Sequence, residues 1–303
     1  MKKIFCMVLV ILTVAVLTVP SFAAEVIGAN SAKIAVTIKG ISAEKPVIDG
    51  TVGEFEYEEI KYTEADCRYY SSSKDAFVDT IKKYTYKMYA SYDAEYIYLA
   101  VIVDTPNYTQ TKDAGSIWQE YSLQVSCAKP DEATPANRSE YGFAKMSTDG
   151  KLVFNAWADA YNFKWAPDLT GKDFNVYTKN DVTTYEMRIP AGAFGIKAFN
   201  KGEKIRLNFC MNVGSDTVGD KERGQIEWSQ GCGGSKDATK FAVLTLGDSI
   251  VIPVVETTAA AKPAAAKPAA GAAAQTADVL GYAAAAVIAS AAAGFAALKS
   301  RKA

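Results

Sequence analysis

The sequence predicts an all-β protein, an antiparallel β-sandwich carried between an export signal and a transmembrane helix. Three observations predict it. The body of the chain is written in short runs that alternate polar and apolar residues, with turn residues between them. That body has almost no long helical pattern, and many strands without helices bury their faces as two packed sheets. Both ends carry apolar segments with the lengths and flanks that export and membrane insertion require.

The ends divide the chain. Met1-Lys2-Lys3 precedes an apolar run over 4–19 and then Pro20-Ser21-Phe22-Ala23-Ala24. A charged start, a greasy middle and a small-residue site make a signal peptide over 1–23, cut after Ala23. The folded body is expected over 24–255, and an Ala/Pro/Lys-rich linker over 256–278. Lys262-Pro263 and Lys267-Pro268 resist a continuous helix there, and nothing in the segment can bury a core. Residues 279–298 are uncharged and Ala-rich, and about 20 such residues cross a hydrocarbon layer of ~30 Å. The basic tail over 299–303 stays in the cytoplasm by the positive-inside rule. The body is therefore expected at the extracellular face of the cell membrane or in the cell wall. Gln275-Thr276-Ala277-Asp278, an apolar helix and a basic end resemble a Gram-positive sortase sorting signal in architecture. Ala273-Ala274 and Ala277 stand where that motif has Leu-Pro and Gly, so membrane anchoring and covalent wall attachment both stay open.

Composition excludes whole classes of chemistry. The net charge is −1, so no nucleic-acid partner is expected. Histidine is absent, which removes Ser-His-Asp and Cys-His catalysis and His-ligated zinc or haem. Cys6 falls in the signal. Cys67, Cys127, Cys210 and Cys232 form either two disulfides, in one of three connectivities, or buried thiols.

The strands follow in order. Residues 33–38 and 84–92 alternate, Asp93-Ala94-Glu95 turns, and 96–103 is nearly all apolar, so the last two runs form a hairpin with a central strand. Further strands are expected over 121–127, 140–147, 152–158, 174–178, 183–189, 204–213, 225–228 and 240–246, with a turn at Thr148-Asp149-Gly150. Only 191–196, after Pro190, reads as a short helical turn.

Several blocks in this order carry a resemblance. They are Pro46-Val47-Ile48-Asp49-Gly50, the hairpin 92–101, Ile117-Trp118-Gln119-Glu120-Tyr121-Ser122-Leu123-Gln124, Tyr185-Glu186-Met187-Arg188-Ile189-Pro190, and Ile226-Glu227-Trp228-Ser229 with Lys240-Phe241. Together they resemble carbohydrate-binding module family 9 and its DOMON-like β-sandwich relatives over nearly the whole body. The resemblance implies non-catalytic binding of a polysaccharide or oligosaccharide, with a terminal sugar clamped between two Trp residues. Trp118 matches the first clamp residue. Gln124 matches a polar ligand position usually held by Glu. Lys236 stands where the second Trp is expected, so half the clamp is replaced.

Other aromatics offer a platform. Trp157 and Trp165 flank Tyr161 and Phe163, in a stretch that leaves a strand for a loop, and aromatic loops suit binding. Trp228 sits within a strand and is assigned to packing. Glu186 and Glu227 alternate with apolar neighbours and read as solvated strand residues. They and Asp159 and Asp168 have no spacing that pairs two carboxyls across a cleft, so no enzyme is expected. No cofactor is called for. A structural calcium ion is compatible with the composition, with Asp49, Asp93 and Asp104 at strand ends as available ligands but no EF-hand-like loop. Two readings remain: a membrane-tethered carbohydrate-binding protein, or a surface structural or adhesive protein that keeps the sandwich and lacks a sugar site. A DOMON-like haem protein ranks last, for want of a His ligand.

Overall fold

Successive strand residues point to opposite sides, so each run of alternating residues places one set in the core and one outside. The computed structural model describes residues 23–41, 44–72, 75–214 and 222–251. All but the last residue of the expected signal peptide lies outside them, as do the linker, the transmembrane segment over 279–298 and the tail. Among the described residues no helix is long and apolar enough to cross a membrane.

The strands are β1 Ala24–Ile27, β2 Ala35–Gly40, β3 Glu58–Ile60, β4 Cys67–Ser71, β5 Tyr86–Tyr92, β6 Tyr96–Asp104, β7 Ser122–Ala128, β8 Ser139–Lys145, β9 Leu152–Asp159, β10 Phe174–Lys179, β11 Val182–Pro190, β12 Lys204–Gly214, β13 Arg223–Trp228 and β14 Ala242–Ser249. One short helix, α1 Asp75–Ile81, sits between β4 and β5. The first layer runs β1-β4-β13-β12-β7-β8-β9. The second runs β5-β6-β11-β10, with β3 and β2 on the free edge of β5. β14 joins the layers, pairing with the first half of β12 and with β2.

The expected antiparallel pattern holds except at β2, which is parallel to both β14 and β5. The expected strand runs omitted β1, β3 and β4, and α1 was not expected either. These elements are short, and none spans enough residues to show a period of its own.

One core lies between the layers. β12 sends in Ile205, Leu207, Phe209, Met211 and Val213, and β7 sends in Leu123, Val125 and Cys127. From the other side come Met88 and Ala90 of β5, Leu99 and Val101 of β6, and Tyr185 and Met187 of β11. Phe143 of β8 meets Phe174 of β10 edge-on across the layers at 5.1 Å. Each such aromatic or aliphatic side chain contributes about 1.5–3 kcal/mol on burial. Trp228 is fully buried beside Phe209, at 5.8 Å between rings. All four cysteines of the body are buried and unpaired, and burial pushes the Cys67 thiol up to about 12.

The turn at Asp93 illustrates the carboxylates first weighed as calcium ligands. Its Oδ1 accepts from the Glu95 and Tyr96 amides, each at 2.8 Å, and its Oδ2 accepts from Tyr98 Oη at 2.8 Å. Asp104 accepts from the Thr85 amide and Asp49 from the Thr51 amide. These groups tie turns, and among the described residues no cluster of three or more acidic or thiol groups is placed to hold a metal ion.

Candidate functional site

In the middle of the outward face β12 and β7 set Asn208, Cys210 and Asn212 against Ser126, Gln124 and Ser122. All six are buried. Small neutral polar residues at the outward positions of two apolar-alternating strands thus mark a covered face, not a solvated one. Strand register continues that face in three rows. One row is Arg68, Glu227, Cys210, Gln124, Gly142 and Asn155. Beside it run Tyr70, Gln225, Asn212 and Ser122 on one flank, and Asn208, Ser126, Glu140 and Ala158 on the other.

A cavity of about 520 Å³ opens on these rows, lined by Arg68, Tyr70, Trp118, Gln124, Arg138, Glu140, Trp157, Arg223, Gln225, Gly233, Gly234 and Lys236. Of the residues singled out from sequence it brings together Trp118, Gln124, Trp157 and Lys236. Trp165 does not line the cavity. Its ring packs edge-on to Tyr141 at 4.9 Å and Phe154 at 5.3 Å, against the core. The loop turns back at this point, and an indole offered a ready aromatic cluster buries its face there.

Trp157 stands at a β-bulge on the cavity face. Glu140 pairs with Ala158 and Tyr141 with Ala156, so Trp157 is the extra residue of β9. Trp157 follows the outward-facing Asn155 by two residues, so alternation already turns it to this face, and the bulge brings the next residue, Ala158, to the same side opposite Glu140. The indole lies on Gly142, where an added Cβ would come within 2.2 Å of its Cη2. Its Nε1 donates to Gly115 O at 3.0 Å. Trp118 sits on the 3-10 turn Ala114–Gln119, opened by Asp113, whose side chain accepts from the Ser116 amide. Buried Ile117 anchors that turn, and its carbonyl accepts from Gln110 Nε2 at 3.0 Å and Ser122 Oγ at 2.8 Å. The Arg223 guanidinium lies over the Trp118 ring, 4.7 Å from its centre.

The loop after Trp228 forms another wall, pinned by Glu227. This carboxylate is fully buried, which corrects its reading as a solvated residue. It accepts from Arg68 Nη1 at 3.1 Å, Asn208 Nδ2 at 3.1 Å and the Cys232 amide at 2.7 Å. Burial raises its pKa, and the Arg68 charge opposes the rise. Gly233 packs where a Cβ would meet Gln225 Oε1 at 2.6 Å, so only glycine lets the loop come this close. The loop delivers Lys236, which pairs with Glu140. Glu140 also takes Arg138 Nε at 2.9 Å and Nη2 at 2.8 Å. Gln124, only 4% exposed, accepts through Oε1 from Cys232 Sγ at 3.6 Å, and its Nε2 has no protein partner among the described residues.

Sequence reasoning missed Arg68, Tyr70, Arg138, Glu140, Arg223 and Gln225. A signal was present in β13, where Arg223, Gln225 and Glu227 alternate with Gly224, Ile226 and Trp228. Placing them beside Trp118 required the order of the strands.

No protein-family model matches this chain, and no curated protein matches it. Among solved structures it is similar to a carbohydrate binding module family 9 (CBM9) from Caldicellulosiruptor kristjanssonii in complex with cellotriose, with TM-score 0.48 and 15% identity over 73% of this chain and 98% of that one. It is also similar to a CBM9 from the same organism in complex with glucose, with TM-score 0.45 and 16% identity over 71% of this chain and 98% of that one. At identities this low the likeness extends to no individual side chain of the cavity.

Proposed function

We propose that this protein binds a saccharide, without catalysis, in the cavity on the outer face of the first layer. The observation that carries the reading is the meeting of two indoles, Trp118 and Trp157, with fixed donors around one cavity. Sugar rings present a CH face that packs on an indole and hydroxyls that need oriented polar partners. Trp118 and Trp157 supply the flat surfaces, Gln124 a free amide donor, and Lys236 and the arginines charged donors. The second indole comes from β9 and not from the loop that carries Lys236. Support for a non-catalytic role comes from Glu140, the one carboxylate lining the cavity, which is bridged to two cations. A general acid needs a partner carboxyl and a proton to give.

The same proposal places the domain outside the cell. The apolar segment over 279–298 tethers it to the membrane, and the signal over 1–23 exports it. A second reading, a structural or adhesive surface protein, is favoured by one observation: Arg223 covers one face of Trp118. The test is a glycan-array screen of the full-length protein beside Trp118→Ala and Trp157→Ala, with thermal melts of all three. Binding that both substitutions abolish with melts unchanged supports the sugar site. No binding by the parent protein hands the case to the adhesive reading.

A further inference from the structure

We infer that Cys210 and Cys232 form a reversible disulfide beneath the cavity floor, and that its state sets how the Gln124 amide is presented to the ligand. The inference rests on the saccharide reading and adds a control to that same site.

Strand register and the loop bring the two sulfurs together. Cys210 stands on β12 between Glu227 of β13 and Gln124 of β7. Cys232 comes from the loop after β13 and is tied to both of these flanking residues. Its amide donates to Glu227 Oε1 at 2.7 Å, and its Sγ donates to Gln124 Oε1 at 3.6 Å. A residue fastened to the neighbours on either side of Cys210 lies over Cys210 itself. The next loop residue agrees, because a Cβ built on Gly233 would stand 2.9 Å from Cys210 Sγ. The two thiols hydrogen-bond each other. A disulfide requires Cβ atoms about 3.5–4.5 Å apart, and thiols already in contact reach that by a settling of the loop, with the strands in place. Cys67 and Cys127 belong to the core, on the opposite side of the same layer.

The reaction is thiol–disulfide exchange, with a small disulfide such as oxidised glutathione as the oxidant. The Cys232 thiolate attacks one sulfur of that disulfide and releases one thiol. Cys210 then attacks the mixed disulfide and releases the second. Two S–H bonds leave the protein and two appear on glutathione, while one S–S bond is exchanged for another. Both cysteines are fully buried, so the exchange proceeds when the loop lifts. Gly231, Gly233 and Gly234 give the segment that freedom.

The consequence falls on Gln124. In the dithiol form the Cys232 S–H holds Oε1 and leaves Nε2 as the fixed donor of the cavity. A disulfide has no S–H to donate. Ser126 Oγ donates to Cys232 Sγ at 3.0 Å and finds a sulfur there in either form. Oxidation therefore releases the buried amide, which then offers either end.

The test compares the full-length protein equilibrated in reduced and in oxidised glutathione. Peptide mapping of the oxidised sample is expected to find Cys210 linked to Cys232, with Cys67 and Cys127 still thiols, and reduced glutathione is expected to undo the link. The side-chain amide signal of Gln124 in NMR is expected to shift between the forms. On the glycan array the oxidised form is expected to bind roughly two- to tenfold more weakly, the worth of one hydrogen bond. Cys210→Ala and Cys232→Ser are each expected to remove this dependence, and Cys232→Ser, which keeps a hydroxyl donor for Gln124, to bind like the dithiol form. A pair that does not link in the folded protein, a link that leaves the Gln124 signal unmoved, or equal array binding by both forms overturns the inference and leaves the saccharide site standing. An array blank for both forms removes the saccharide reading instead, and the link together with the Gln124 shift still decides the switch.

Discussion

Glu227 on β13 and Glu186 on β11 occupy equivalent situations in the two layers. Each points away from the core on the outer side of its sheet, and each is fully buried beneath a covering segment. Their partners differ. Glu227 has the Arg68 guanidinium, Asn208 and the amide of Cys232. Glu186 has the Gly50 amide and the Tyr57 hydroxyl, the latter at 3.0 Å, and no ion pair among the described residues. Burial raises the Glu186 pKa to about 7, while the two hydrogen bonds hold it down in part. One outer face is therefore built around a compensated charge that pins a cavity wall. The other is sealed by the stretch from Gly50 to Tyr57, with Tyr57, Tyr98 and Ala100 forming a small apolar cluster. Covering a sheet does not by itself make a site; the charged, donor-rich cover does.

The sharpest way to break this comparison is to remove Arg68. Arg68→Met leaves Glu227 buried without its counter-charge, at a cost of about 3–5 kcal/mol at neutral pH. Urea titration measures it, and a cost below about 1 kcal/mol would mean that the neutral donors suffice and the two faces are alike.

Glu186 predicts a pH signature. Its folded pKa lies above the ordinary carboxylate value of 4.5, so its contribution is fully present below pH about 4.5 and is lost as pH rises through about 7. The loss is on the order of 3 kcal/mol across that window. Glu186→Gln should flatten this slope and raise the melting temperature above pH 7; an unchanged slope would show that other groups set it.

Gly142→Ala probes the support beneath Trp157. The added methyl must push the indole off the sheet, with a loss of about 1–3 kcal/mol and a changed tryptophan emission. A normal melt and emission would mean that the ring has room to spare. The smallest effect belongs to Lys236→Met. The lysine is part-exposed and Arg138 still holds Glu140, so stability should move by less than about 1 kcal/mol, with the consequence confined to binding. A larger drop in the melt would make Lys236 a structural tie like Arg68.

Much of the fold was legible because period-2 alternation is a local property. β5, β6, β11, β12 and β14 all fall where alternation or apolar runs placed them. β4 was missed although it lies between β1 and β13, since Cys67-Arg68-Tyr69-Tyr70-Ser71 shows no clean apolar face. Of the aromatic candidates, Trp118 and Trp157 reached the cavity and Trp165 did not. The difference is that Trp157 lies within β9, two residues after outward-facing Asn155, while Trp165 lies in the loop beyond it, whose course leaves no mark in the local sequence.

The sequence by itself determined the strand-rich body, its turns, the absence of histidine chemistry and the in-or-out parity of most strand residues. Those are consequences of composition and of the two-residue repeat. Only the tertiary structure decided that Glu227 and Glu186 are buried, that Arg68 faces one of them, and that Trp157 shares a cavity with Trp118, Gln124 and Lys236. The physical reason is that burial and charge pairing depend on which strands become neighbours. β4, β13, β12, β7 and β8 stand side by side in the sheet while their residues lie up to some 160 positions apart in the chain, as Arg68 and Glu227 do at a separation of 159.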